Sequence, residues 1–166
     1  MWLTQLGRLN PLLCTLHSEF RTTTVNLSAK TEYACVAVME LAARVGSGEL
    51  ARIKDIADSH GIPSRFLVQI LLQLKSAGYV ESTRGAAGGY RLIKDPAEIT
   101  LGELMAVVDG SSDSVRSNIS RATATTSTLL SAWQQACDAQ QEVLYSLTFA
   151  DLLEETRGRT ADMYYI

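Results

Sequence analysis

From Ser28 onward the apolar positions fall into runs of helical period, separated by glycine clusters. Ala34, Ala37, Val38, Leu41 and Val45 stand three or four apart, which places them in one stripe of a helix over residues 29–45. Ser28 is its N-cap and Gly46-Ser47-Gly48 its stop. A second run over 52–60 turns Ile53, Ile56 and Ala57 inward, and Gly61 suits its left-handed end. The third helix, over 63–77, opens with Pro63 in its first turn. Its buried side is Phe66, Leu67, Ile70, Leu71 and Leu74, and Gly78 ends it. The period then drops to that of a strand over 79–82, with a return strand over 90–92. Thr100-x-x-Glu103 is a capping box for a helix over 101–108. Over 126–147 a long helix carries an almost continuous stripe of Leu129, Leu130, Trp133, Ala136, Cys137, Gln140, Leu144 and Leu147. Thr148-x-x-Asp151 caps a final helix to about residue 155.

The fold class is therefore mainly α with one small β-hairpin. Two short helices joined by a glycine turn and followed by a hairpin have the form of a winged helix-turn-helix, with a long C-terminal helix behind it. Such a fold presents the outer face of its recognition helix to base edges. Here that face holds Ser64, Arg65, Val68 and Gln69. Arg65 is suited to guanine or phosphate, Gln69 to adenine, and Val68 to a thymine methyl. The hairpin loop over 83–89 is built from small residues around one arginine. Gly85, Gly88 and Gly89 permit close backbone approach, and Arg84 is long enough to enter a narrow groove. Lys30, Arg52 and Lys54 are candidate phosphate contacts, which position without specifying. Taken singly, an exposed Arg65 or Gln69 is usually just a solvated face, and the glycine loop reads as readily as an anion-binding turn. No Lys-Ser/Thr follows that loop as in a P-loop. The unbroken order of helix, turn, helix and arginine-tipped hairpin carries the reading.

Charge divides the chain. Its net of -3 is the sum of +1 over residues 1–27, +2 over 28–96 and -6 over 97–166. A mildly basic reading head is thus joined to an acidic half expected to face away from a duplex. Residues 1–26 read as an N-terminal extension, either a flexible arm or the product of an over-long gene model. Residues 27–96 form the winged domain, 97–125 a connecting helix and loop, 126–157 the dimerisation helices and 158–166 a tail. No apolar run is long enough to span a membrane. The three cysteines, at 14, 35 and 137, make neither a disulfide framework nor a zinc pattern, so a reducing cytoplasm is the default. With two histidines, His17 and His60, and no nucleophile or metal-ligand spacing, an enzyme is not expected.

The same order resembles a known family. Leu27-Ser28-Ala29-Lys30-Thr31-Glu32-Tyr33-Ala34, Ile62-Pro63, Phe66-Leu67-Val68-Gln69-Ile70-Leu71 and Ser82-Thr83-Arg84-Gly85-Ala86-Ala87-Gly88-Gly89-Tyr90 are similar to motifs of the Rrf-two family of winged helix-turn-helix regulators. The similarity runs over about residues 27–157. It implies a homodimeric transcription factor, most simply a repressor, on a near-palindromic DNA operator, with Arg65, Gln69 and Arg84 at the DNA. It also implies that Leu129, Leu130, Trp133, Cys137 and Leu144 meet a partner's helix; by periodicity alone they could equally pack within the subunit. Cluster-binding members of the family carry three cysteines after the segment matching Asp109-Gly110. Here residues 111–128 contain none: Ser117 stands near the first position, Ser127 near the third, and Leu130 where a histidine is offered. Iron–sulfur clusters need thiolates, so no such cofactor is expected. The signal would be a small molecule, a protein partner or nothing more than protein concentration. The competing function is a winged-helix protein-interaction module that does not touch DNA.

Overall fold

A computed structural model describes residues 27–85, 87–110 and 117–163. The N-terminal extension, with Cys14 and His17, lies outside the described residues. Six helices and one hairpin follow in the order α1 (Ala29–Ala42), α2 (Ile53–His60), α3 (Ser64–Ser76), β1 (Val80–Thr83), β2 (Gly89–Leu92), α4 (Leu101–Asp109), α5 (Ala124–Ser146) and α6 (Phe149–Met163). A 3-10 turn, Pro96–Glu98, precedes α4.

Local chemistry explains most boundaries. The Ser28 side chain accepts from the Thr31 N–H at the start of α1. Gly61 takes φ 65°, and its N–H and that of Ile62 both return to the Ala57 carbonyl, closing α2 with a tight turn into α3. Pro63 keeps an extended ψ of 121° and stands as the N-cap, so α3 begins at Ser64 rather than at the proline. Helix α1 ends at Ala42, three residues short of expectation, and Val45 is left 51% exposed. At the hairpin, Val80 pairs with Leu92 and Thr83 with Gly89. Tyr79 does not join the strand; it is buried, with its N–H on the Leu74 carbonyl. Helix α5 starts two residues early because Thr123 and Thr126 form a reciprocal capping box. Helix α6 runs to Met163, so the tail expected from residue 158 begins inside a helix.

Helix α1 is the hub of the core. Ala34, Ala37 and Val38 are fully buried against α3, α4, α6 and β2. Two alanines on one face let neighbouring helices approach closely. Leu67, Ile70, Leu71 and Leu74 of α3, Leu104 and Val108 of α4, and Ile99 belong to the same cluster, as do Ile56 of α2 and Val80 and Leu92 of the hairpin. Phe149, the first residue of α6, is wholly buried. Its N–H donates to the Ile99 carbonyl while that of Leu101 donates to Leu147. These bonds, and the burial of a ring worth about 3–5 kcal/mol against alanine, hold the C-terminal helix onto the winged domain. Phe66, expected inside, is 44% exposed. It lies about 100° around the helix from Leu67, at the edge of the buried face.

Candidate nucleic-acid interface

The core stripe of α3 decides what its opposite face can do. With Leu67, Ile70, Leu71 and Leu74 inward, Arg65, Val68, Gln69 and Leu72 share the solvent side, and Ser64 stands at the exposed N-terminus. Leu72, 48% exposed, is an apolar member of this face that sequence reading missed. The Arg65 guanidinium lies 4.9 Å from the centroid of the Phe66 ring, which in turn sits 6.2 Å from the Tyr33 ring of α1. Arginine is thereby held on the helix surface by a cation–π contact of about 0.5–1 kcal/mol, weak enough to exchange for a base or phosphate. Lys54 is exposed on α2, and Arg52 is exposed at its N-cap.

The wing owes its glycines to three different needs. Gly85 alone has a positive φ, 111°, with open space where a methyl group would stand. At Gly88 a Cβ would stand 2.3 Å from the Thr83 carbonyl oxygen, and at Gly89 2.7 Å from that of Ala51. Residue 51 forms a bridge with Tyr90, exchanging N–H···O bonds of 2.9 and 2.8 Å. Packing within the wing therefore accounts for Gly88, and packing against the 50–51 segment for Gly89, without reference to a ligand. Arg84 is exposed and makes no ion pair or hydrogen bond among the described residues. Arg91, by contrast, pairs with Glu81 across the strands, and the Lys94 ammonium lies 3.9 Å over the Tyr79 ring. At the far end of α1, Glu40 holds Arg44 and His60. Burial opposes the charge on Glu40, but those two partners outweigh it and hold its carboxyl below the usual value. The cations left without a carboxylate on this side, among the described residues, are Lys54, Arg65 and Arg84 with Lys75, whose ammonium reaches the Ser82 hydroxyl.

Lys30 has a different setting. Its ammonium donates to the Val108 carbonyl at the end of α4. The same carbonyl and that of Val107 accept from Gln73 Nε2 of α3, at 3.3 and 2.5 Å. Asp109 Oδ2 accepts the Ser28 hydroxyl at 2.7 Å and the Thr31 hydroxyl. Thr31 is the buried polar residue of the core. Partial burial works against the Asp109 charge, yet these hydroxyls and Lys30 hold its carboxyl below the usual aspartate value. The last carbonyls of α4 are thus satisfied by side chains from α1 and α3. Gln73 and Asp109 were not legible as a junction, since their partners lie 34 to 81 residues away.

Helix α5 packs mainly on α4, and none of its residues is buried. The structure divides the five candidate dimer residues between two faces. Leu130, Cys137 and Leu144 are half-buried, whereas Leu129 and Trp133 are 53% and 58% exposed, in line with Val143 at 58%.

A helix-turn-helix with an outward polar face, a wing carrying an exposed arginine, and a long helix behind them with one face in solvent define a winged helix-turn-helix protein. Comparison with known proteins narrows this. Residues 27–155 match the family model Rrf2, described as an iron-dependent transcriptional regulator, and the chain belongs to that family. It is 34% identical over 143 residues to the HTH-type transcriptional regulator CymR of Bacillus subtilis, covering 86% of this chain and all of that one. It is 33% identical over 135 residues to the HTH-type regulator slr0846 of Synechocystis, 81% of this chain and 91% of its relative. Among solved structures, CymR, the global cysteine regulator of B. subtilis, superposes with a TM-score of 0.70 at 32% identity, over 80% of this chain and 98% of that one. IscR of T. potens gives 0.64 at 30%, over 80% and 88%. The protein is a transcriptional regulator, and its relatives are regulators rather than enzymes. Among the described residues no helix is long and apolar enough to cross a membrane.

Proposed function

We propose that this chain is a homodimeric repressor, acting in the cytoplasm, that binds a near-palindromic DNA operator without an iron–sulfur cluster. The observation that carries the reading is the shared exposure of Arg65, Gln69 and Arg84, on a recognition helix and a wing held by one core. Arg65 and Gln69 read base edges, Arg84 anchors the wing, and Lys54 and Arg52 contribute phosphate contacts. Lys30, tied to α4, serves the same backbone only from within that junction. A second copy covers the Leu129, Trp133 and Val143 stripe, and two-fold symmetry then calls for two half-sites. Two reading heads double the phosphate contacts and make binding steeply salt-dependent, while the acidic C-terminal halves face away from the duplex.

The donors present do not fit the family's cluster. Residues 117–128 offer hydroxyls, one asparagine and one arginine, while Cys137 lies well inside α5 and Cys35 on α1. Thiolates are what such a cluster requires. An effector, small molecule or protein, then acts on the C-terminal half by other chemistry. Sequencing the fragments that the protein retains from a genomic DNA pool tests the reading. A two-fold symmetric motif is expected. Recovery of protein partners with no enriched DNA would replace it with the interaction-module reading. Visible cluster absorbance after anaerobic reconstitution would overturn the cofactor claim.

A further inference from the structure

Helices α4 and α5 flank a half-open cleft of about 340 Å³, at the lower end of the range of small-molecule sites. Gly102, Met105 and Asp109 line it from α4, and Cys137, Gln140 and Tyr145 from α5. A thioether and an aromatic ring can take an apolar body; amides and a carboxylate can take a polar head. Asp109 is the one charged side chain among its described lining residues, and it is a pure acceptor when ionised.

Asp109 is also where the cleft meets the reading head. Its Oδ2 receives the Ser28 and Thr31 hydroxyls from the first turn of α1. One and two residues earlier, at Val108 and Val107, the backbone of α4 is held by Gln73, which projects from the recognition helix. A donor arriving from the cleft would compete with the two hydroxyls for the same carboxylate. The last turn of α4 would then shift against both α1 and α3.

We propose that the α4–α5 cleft is an effector site for a small molecule with an apolar body and a hydrogen-bond-donating head, amine or hydroxyl, and that Asp109 relays its occupancy to α1 and α3. The regulatory meaning rests on the DNA-binding function proposed above; the relay itself does not.

Cys137 supplies the means of testing it. A Cys14→Ser variant removes the thiol of the N-terminal extension. Cys35 is protected, because burial pushes its thiol up to about 11 and leaves little thiolate. Aminoethyl methanethiosulfonate then places a cationic, donating head in the cleft, as a mixed disulfide on Cys137. Methyl methanethiosulfonate is the apolar control. The aminoethyl adduct is expected to change affinity for a genomically selected operator fragment by about five-fold or more. It should also speed hydrogen exchange at the Thr31 amide, and both effects should largely vanish in Asp109→Asn. The methyl adduct should do neither. Complete labelling with unchanged exchange and affinity overturns the proposal, as does a thiol that stays unlabelled in the intact protein. If the untreated protein retains no DNA, the regulatory reading fails, while the exchange measurement still decides the relay.

Discussion

Gly89→Ala separates a glycine kept for DNA approach from one kept for the architecture of the wing. A methyl group at this position would stand 2.7 Å from the Ala51 carbonyl oxygen and 3.0 Å from the Leu50 Cβ. Ordinary contacts of this kind are about 3.5 Å, so β2 and the 50–51 segment must part by roughly half an ångström or more. That separation falls on the paired Ala51–Tyr90 bonds of 2.9 and 2.8 Å. Their net worth is about 1 kcal/mol each, and forcing a methyl into packed structure costs about 1–3 kcal/mol. The obstacle is backbone, which cannot swing aside as a side-chain tip would. A loss of about 1–3 kcal/mol in urea unfolding is therefore expected, together with weaker operator binding. Both should be measured on one preparation, with affinity taken well below the unfolding transition. Stability unchanged within about 0.5 kcal/mol, with affinity lost, would refute the packing argument and return Gly89 to the DNA surface.

Other substitutions probe the remaining parts of the molecule. Arg84→Ala should weaken operator binding severalfold and lower the salt dependence by about one phosphate contact, while leaving unfolding unchanged; equal affinity at moderate salt would remove the wing from the interface. Arg65→Ala should cost about 1–3 kcal/mol in operator affinity and relax preference at one base pair, read by selection on randomised sites. Trp133→Glu should convert the assembly to monomers in sedimentation without destabilising the subunit, because that side chain is 58% exposed in the single chain; an unchanged dimer would place the interface elsewhere. Asp109 has a folded pKa below its ordinary 3.8. Its stabilising contribution is therefore fully present above that ordinary value and is lost as pH falls through the folded one. Unfolding of Asp109→Asn should accordingly show a shallower acid limb than that of the parent.

The elements legible in advance were those governed by neighbours in the chain. Ser28 caps α1, Gly61 closes α2, and Thr100 with Glu103 opens α4, each through groups within five residues. The order of helix, turn, helix and hairpin follows from such signals, and so does the polar face of α3, since a stripe of four buried residues leaves only one direction for Arg65 and Gln69. Extending a stripe by residue type alone fails. Val45 is apolar and correctly spaced for α1, but the helix stops at Ala42. Phe66 is apolar and borders the inward stripe of α3, but one step around the helix puts its ring beside Tyr33 and under Arg65.

By itself the sequence determined which segments are helical, where the wing lies, which face of α3 is polar, and that the loop after α4 lacks thiols. Periodicity, caps and composition are local properties, and they survive in a one-dimensional string. Tertiary structure decided the rest. It made α1 the hub, seated Phe149 beneath the C-terminal helix, and split α5 into a face toward α4 and a face toward solvent. It gave Gly88 and Gly89 their crowded neighbours, and it turned Lys30, Gln73 and Asp109 into one junction between α1, α3 and α4. These depend on which surfaces meet across many tens of residues, and a hydrogen bond between positions 31 and 109 leaves no mark on the residues beside either.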